Sequence, residues 1–380
     1  MLSRHTVDRL RKFEGNGSPV VSVYINLNPD IRELRSIRPR LKDMLKPVRA
    51  LIEAPNVQRA FANSLRDDVE AILGSEKRIE ADLGHGVAMF ASSGAGFFDY
   101  LSLPRTGWDV AIANAAPYLR PLDAMLDEFH YCCVVVVDQR RSWLYESFMD
   151  SIEERGIVEE EVQRKNNYAG WYGLAEYGTQ RRAQELSHRH YRETAKAITD
   201  LFASSDLELL MIGGHREASD ALVPFLPVPL REAIAGTFVV DPGTMTPATV
   251  HAACRRLQDD FEAHRQRDLC ARLSATADSG GHAAMGLAGT LQAANAKAIN
   301  LLLVESQFTA PGTVCERCRW LGLWGDRCEM CGAATRATPD IIDEVAEATL
   351  REGGKVRHVS PANGLPGTSI GAMLRFSPAA

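Results

Sequence analysis

NLLLVESQFTAPGTVCERCRWLGLWGDRCEMCGAATRATPDIIDEVAEATLREGGKVRHV, residues 300–359, carries the signals that decide the fold, in a definite order. An apolar strand comes first, at 300–305. Two Cys-x-x-Cys knuckles follow, Cys315-Glu-Arg-Cys318 and Cys328-Glu-Met-Cys331, with nine residues between them. A helix at 339–351 and a second strand at 355–359 complete the stretch. A preceding helix near 287–298 and a last strand at 372–376 flank it. Strands alternating with helices predict a small α/β sandwich, with the cysteine ribbon 315–331 inserted into it.

Each knuckle can offer two thiolates to one tetrahedral ion. Four thiolates leave zinc no open position, so Cys315, Cys318, Cys328 and Cys331 point to a structural Zn2+ rather than a catalytic one. Gly332, just past the second knuckle, suits a tight turn. The other reading is two redox pairs, and it is weaker because neither pair opens a helix after a strand. Trp320, Leu321, Leu323 and Trp324 either pack over the metal site or extend as an apolar contact surface.

Working outward, 131–148 opens a middle unit. Residues 132–137 form a continuous apolar run, as in a strand covered on both faces, and 141–148 (RSWLYESF) reads as its hairpin partner. A Gly- and Tyr-rich loop spans 166–179, and a helical pattern runs from 180 to 202. A buried strand at 207–212 ends in Gly213-Gly214. A short strand at 237–240 and a long helix at 246–272 follow, and 274–281 (SATADSGG) reads as a linker. Near the N-terminus, 19–27 (PVVSVYINL) is a strand. A helical stretch at 32–72 is interrupted near Pro39, Pro47 and Pro55. Residues 86–90 and 96–101 form a strand pair around a Ser-Ser-Gly turn.

Composition narrows the class. Of 380 residues 45% are apolar and 24% charged, the balance of a globular protein with two or three domains. The net charge of −6 argues against wholesale nucleic-acid binding but allows a local basic surface. MLSRHTVDRLRKFEG lacks the apolar core of a signal peptide, and the aliphatic run at 131–137 is too short to span a bilayer. The expectation is a cytoplasmic protein with no membrane partner. Cys132, Cys133, Cys254 and Cys270 sit in apolar or helical contexts and read as buried reduced thiols.

The C-terminal unit resembles the third domain of the archaeo-eukaryotic peptide release factors and of Pelota. The matching residues are Lys297-Ala-Ile-Asn-Leu-Leu-Leu-Val304, the cysteine ribbon, Gly354-Lys-Val-Arg-His-Val-Ser360 and the closing GLPGTSIGAMLRF at 364–376. The middle unit is similar to the second domain of that family, which is ribonuclease-H-like. Its correspondents are Val134-Val-Val-Val-Asp138, Tyr177-Gly-Thr-Gln180, His190-Tyr191 with Ala195, and Leu209-Leu-Met-Ile-Gly-Gly214. The first 125 or so residues do not resemble the stop-codon-reading domain and look like the distinct first domain of the bacterial branch, within the wider release factor, Pelota and Vms-like superfamily. The fold class expected is thus α/β (α+β) in three domains. These are an N-terminal α/β domain at 1–126, a ribonuclease-H-like α/β domain at 127–266, and an α/β sandwich with a zinc ribbon at 267–380.

The resemblance implies a catalytic role for Gly178 and Gln180. In the family a Gly-Gly-Gln loop helps water attack the ester of peptidyl-tRNA, with glycine permitting close approach and glutamine positioning water. Here Thr179 replaces the second glycine, and a β-branched residue is strained if that position needs positive φ. The plainer alternative is an ordinary helix start with Thr179 as N-cap. Around this loop Arg164, Lys165, Arg181, Arg182, Arg189, Arg192 and Lys196 form a basic set, and Arg182, Arg189, Arg192 and Lys196 recur at helical spacing. That face suits phosphates of a tRNA acceptor end or of rRNA, with Tyr168, Trp171, Tyr172 and Tyr177 available for stacking. A second basic run, Arg32 to Arg49, reads equally well as a solvated helix. The functional expectation is a ribosome-binding factor of the release or rescue type that enters the A site, with hydrolysis of peptidyl-tRNA open. The alternative is a non-hydrolytic, Pelota-like rescue or hibernation factor. An elongation-factor-like GTPase partner is implied by the resemblance alone.

Overall fold

A computed structural model describes residues 4–13, 15–27, 36–54, 57–82, 84–104, 109–149, 151–159, 174–365 and 367–377, with the side chains of 4 and 174–183 excepted. The chain divides into two compact units, one made of 1–128 together with 266–380, the other of 129–265.

The first unit begins with a four-stranded antiparallel sheet. Its strands are β1 (Val20–Asn26), β2 (Gly86–Ser92), β3 (Phe97–Leu103) and β4 (Val110–Asn114), in the order β3-β2-β1-β4. β1 and β2 are covered on both faces, which explains their unbroken apolar sequences. On one face Val21, Val23, Ile25, Val87 and Met89 pack against Leu41, Leu45, Leu65, Val69 and Ile72 of the helical layer. On the other, Tyr24 meets Phe90 edge-on at 5.8 Å and donates its hydroxyl proton to the Tyr118 carbonyl at 2.6 Å. Pro39 and Pro47 lie in the first turns of the helices Ile37–Met44 and Lys46–Ile52, where the missing N–H has no intrahelical partner to lose. Two arginines of the N-terminal basic run are paired locally: Arg40 is buried and forks onto Asp109 at 2.6 Å, while Arg38 pairs with Glu76 at 2.8 Å.

The second unit holds β5 (Cys132–Val137), β6 (Arg141–Phe148), β7 (Ser151–Glu159), β8 (Leu209–Gly214) and β9 (Ile234–Val239). Their order is β7-β6-β5-β8-β9, with β5, β6 and β7 an antiparallel meander and β8 and β9 parallel to β5. That is the ribonuclease-H-like arrangement expected of the middle segment. Alternate residues of β5 feed two cores: Cys133, Val135 and Val137 with Tyr191, Ala195 and Ile198, and Cys132, Val134 and Val136 with Val250 and Cys254. β7 is the outer strand of the sheet and largely exposed. Glu153, Glu154 and Arg155 along it discourage pairing with another chain.

The C-terminal part of the first unit contains β10 (Ala283–Met285), β11 (Ile299–Glu305), β12 (Gly312–Cys315), β13 (Leu321–Gly322), β14 (Thr335–Thr338), β15 (Lys355–Val359) and β16 (Ile370–Leu374). β10, β16, β11 and β15 form one sheet, with β11 and β15 parallel; β13, β12 and β14 form the small ribbon sheet. The helix Ile341–Arg351 between ribbon and β15 is capped by Asp340, which accepts from the Ile342 amide at 3.1 Å.

Residues 274–281 are not a linker: the helix Pro247–Asp278 runs through SATAD and stops at Ser279-Gly280, with Gly280 at φ 69°. Alanines continue a helix, and it is the glycine that ends it.

Within the first unit the early and late segments interlock. Buried Arg120 donates to the Asp340 carboxylate at 2.7 Å and to the carbonyls of Glu305 and Ser306 at 3.0 and 3.2 Å. Tyr118 donates to the same carboxylate at 2.9 Å. Arg11 bridges Asp123 and Glu347, and Asp127 holds Arg357 and His358. Burial alone raises the Asp127 carboxyl, but the His358 hydrogen bond and the His358 and Arg357 charges outweigh it and leave it below its ordinary value. Among the described residues no helix is long and apolar enough to cross a membrane.

Candidate functional site

The helix Leu174–Ser204 is anchored along one face. His190, Tyr191, Thr194, Ala195 and Ile198 are buried, a spacing that recurs once per turn and rests on the sheet. Ser142 of β6 fixes the register, meeting His190 Nε2 at 2.9 Å and Thr194 Oγ1 at 3.0 Å. Tyr191 sits against Phe225 with ring centroids 5.8 Å apart, and burial raises its phenol. That anchoring turns Arg189, Arg192 and Lys196 outward, and all three are exposed. Glu193 is exposed among them, so the face is basic but not uniformly so. Beside it a shallow cleft is lined by Gln139, Gln184, Ser187, His188 and Tyr191, side chains rich in hydrogen-bonding groups.

The helix starts six residues earlier than the sequence suggested. Gly178, Thr179 and Gln180, expected at a loop end, lie within it, together with Arg181 and Arg182. Side chains at these five positions, and all of Arg164, Lys165, Tyr168, Trp171 and Tyr172, lie outside the described residues.

In the first unit the four cysteines come together. Their sulfurs lie within 4.8 Å of one another, with Cys315 and Cys331 at 3.5 Å and Cys318 and Cys328 at 3.4 Å. Four sulfurs about 2.3 Å from one ion sit about 3.8 Å apart, so the cluster fits a tetrahedral metal with little adjustment. The two knuckles are built alike. The Arg319 amide donates to the Cys315 carbonyl at 2.8 Å, and the Gly332 amide to the Cys328 carbonyl at 2.9 Å. The Cys315 amide donates to the Trp320 carbonyl at 2.9 Å, and the Cys328 amide to that of Ala333 at 2.8 Å. Arg319 and Gly332 both take left-handed backbone, at φ 64° and 68°. Amides aimed at Cys315, foremost that of Cys318, lower its thiol to about 6, whereas at Cys318 the Trp320 amide lowers the thiol but burial and the three neighbouring thiols prevail and push it up to about 12. The group can hold a metal ion.

The ribbon aromatics divide. Leu321 is buried, Leu323 packs on the unit's core, Trp320 is half-buried, and Trp324 stays exposed. The Asn295 side chain clamps Leu321 from both sides, donating to its carbonyl and accepting from its amide, each at 2.8 Å. Cys132, Cys133, Cys254 and Cys270 are free and buried, as expected.

Neither Lys297 nor Arg319 is singled out as a site residue by the sequence. Both line a cleft at the ribbon root and both have positive φ. The available signal for Arg319 was the neighbouring knuckle, where the equivalent position is glycine.

A ribonuclease-H-like unit bearing a long helix with a basic outer face, and an α/β sandwich with a four-cysteine ribbon, are the folds that the release-factor resemblance implies for these two segments. Residues 117–281 match the family model described as bacterial archaeo-eukaryotic release factor family 10. Over that stretch, somewhat under half of the chain, the match agrees with the resemblance read from the sequence. No curated protein matches the chain. Among solved structures it is similar to Archaeoglobus fulgidus Pelota at 18% identity, over 77% of this chain and 80% of that one, with a TM-score of 0.36. It is similar at 12% identity to S. cerevisiae Dom34, a translation termination-like factor interacting with Hbs1, over 76% and 80% of the two chains with a TM-score of 0.43. An archaeal translation termination factor, aRF1, is 12% identical over 98% of this chain and 96% of its own, with a TM-score of 0.26.

Proposed function

We propose that the protein is a ribosome-binding translation factor of the release or rescue type, which enters the A site and lays the basic face of the helix Leu174–Ser204 against tRNA or rRNA near the peptidyl-transferase centre. The observation that carries the reading is the coincidence of the family match at 117–281 with an anchored helix whose Arg189, Arg192 and Lys196 face solvent. Phosphates of a tRNA acceptor end or rRNA are what such a face attracts on an otherwise acidic chain. Arg164, Lys165, Arg181 and Arg182 extend the set. The cysteine ribbon holds a structural Zn2+, and an elongation-factor-like GTPase is the partner the resemblance suggests. The protein works in the cytoplasm. The chain comprises three domains that divide at about 126 and 266.

Between the hydrolytic and non-hydrolytic readings, one observation favours the second. Gly178, Thr179 and Gln180 lie in a helix, where a backbone amide is engaged along the helix rather than aimed at an ester. Rescue or hibernation without peptide release then accounts for the protein.

The test is co-sedimentation of the full chain with bacterial ribosomes over a salt series. Wild type is expected to pellet at low salt and to dissociate as salt rises. Arg189→Glu/Arg192→Glu/Lys196→Glu is expected to stay in the supernatant with its circular dichroism unchanged. Pelleting equal to wild type sinks the reading. Peptidyl-tRNA release that is absent in wild type and in Gln180→Ala supports the non-hydrolytic branch; release that Gln180→Ala abolishes overturns that branch.

A further inference from the structure

We propose that the cleft at the root of the cysteine ribbon binds the phosphodiester backbone of single-stranded RNA through Arg319 and Lys297, as a second RNA contact apart from the helix Leu174–Ser204. The cleft's charged and aromatic lining is Lys297, Arg319, Trp320, Glu344, Arg351 and Glu352. Glu344 is occupied by Arg336 at 2.9 Å, and Glu352 by Lys297 at 2.9 Å, an exposed pair that water and an entering anion can loosen. Arg319 and Arg351 have no carboxylate partner among the described residues. Arg351 is accounted for by its place in the last turn of its helix, and it carries no weight here.

Arg319 and Lys297 have no such account. Lys297 ends the helix Gly286–Asn295 in a left-handed turn at φ 57°. Its amide donates to Ala294 at 2.9 Å and the Ala298 amide to Ala293 at 2.9 Å, which is the closure that glycine serves without strain. Arg319 occupies the knuckle position that Gly332 fills in the twin knuckle. The chain thus keeps a long cation at two positions whose backbone suits glycine, and both side chains border one cleft. Left-handed backbone at two cations that line one cleft points to a ligand. A guanidinium and an ammonium select an anion, and the Trp320 ring beside them suits a base stacked next to its own phosphate. An acidic peptide shares the charge but leaves the indole without a planar partner.

The test uses the zinc-loaded full chain and a fluorescent oligouridylate of about 12 nucleotides, a length within the span of single-strand sites. Lys297→Gly/Arg319→Gly relieves both turns, so it is expected to melt at or above the wild-type temperature. Its RNA affinity is expected to fall, and its log–log salt dependence to flatten by about 1 per cation removed. Unchanged affinity and slope overturn the proposal, as does binding of labelled polyglutamate in place of RNA. The helix reading fails separately: if Arg189→Glu/Arg192→Glu/Lys196→Glu pellets with ribosomes like wild type while the glycine variant loses RNA, that reading falls and the cleft stands.

Discussion

At the residue scale, the two knuckles make a matched pair for asking what the metal site requires of the backbone. Gly332 has φ 68°, and a Cβ added there meets nothing within 4 Å. A substitution therefore tests backbone strain without steric clash. Gly332→Val is expected to cost about 1–2 kcal/mol, the penalty of left-handed backbone for an L-residue. Because the knuckle amides shape the thiolate pocket, that penalty appears in metal affinity, as roughly a tenfold drop in chelator competition. Zinc affinity equal to wild type means the turn can open without disturbing the ligands. His130 offers a second single-residue test. It sits in the second unit with Nδ1 2.6 Å from Glu208 and Nε2 3.2 Å from Glu262. Burial lowers its basicity, but hydrogen bonds to the two carboxylates prevail and raise it above the ordinary imidazole value. A raised folded value stabilises the fold fully below the unfolded pKa of about 6.5, and that contribution fades as pH rises through the folded value. The stability difference between wild type and His130→Gln in urea should thus be widest near about pH 6 and narrow above the imidazole range. A gap independent of pH removes the charged imidazole from the account.

At the element scale, the helix Leu174–Ser204 shows what pattern reading captures and where it stops. Its anchored half was legible because buried His190, Tyr191, Thr194 and Ala195 alternate with Arg189, Arg192 and Lys196 at helical spacing. Its start was misplaced. Gly173 and Gly178 weaken a helical reading locally, yet Leu174, Ala175 and Glu176 are good helix formers and the element begins at Leu174. The same logic explains 274–278, where small polar residues passed for a linker but alanines sustained the helix. β4, by contrast, has no sequence signature of its own: VAIAN is half-buried and acquires its strand from pairing with β1. Thr179→Gly tests the helix start. Glycine lowers interior helix stability by several tenths of a kcal/mol, about 0.5, relative to threonine. Amide exchange across 178–183 should quicken while ribosome pelleting holds. Exchange already at coil rates in the wild type shows that the segment is not helical in solution, and the catalytic reading of Gly178 and Gln180 regains force.

At the scale of the whole molecule, the four-cysteine ribbon, the sandwich around it and the ribonuclease-H-like sheet were readable from local signals, because spacing and apolar runs are local. What no local signal gave was the merging of 1–128 and 266–380 into one compact unit. Its interior joint is Arg120, an arginine in a sequence, Leu119-Arg-Pro-Leu122, that suggests nothing beyond a short helix. The side chain is 1% exposed, and its partner Asp340, which also caps the helix Ile341–Arg351, is 2% exposed. Desolvating both ions offsets most of their attraction, so the intact pair adds little net stability; breaking it leaves one buried charge alone. Arg120→Met is therefore expected to destabilise the first unit by about 3–5 kcal/mol. Asp340→Asn, which keeps a side-chain acceptor for the Ile342 amide, should cost less than Asp340→Leu, and Arg120→Met/Asp340→Leu should recover part of the loss of either single change. The measurement is calorimetric unfolding, with amide exchange assigning the loss to residues. Exchange should quicken together in β1, β2, β11 and β15, since one joint serves both sheets. Faster exchange confined to 266–380, with β1 and β2 unaltered, would show that the early segment is stable without the joint and that the two ends of the chain fold as separate bodies.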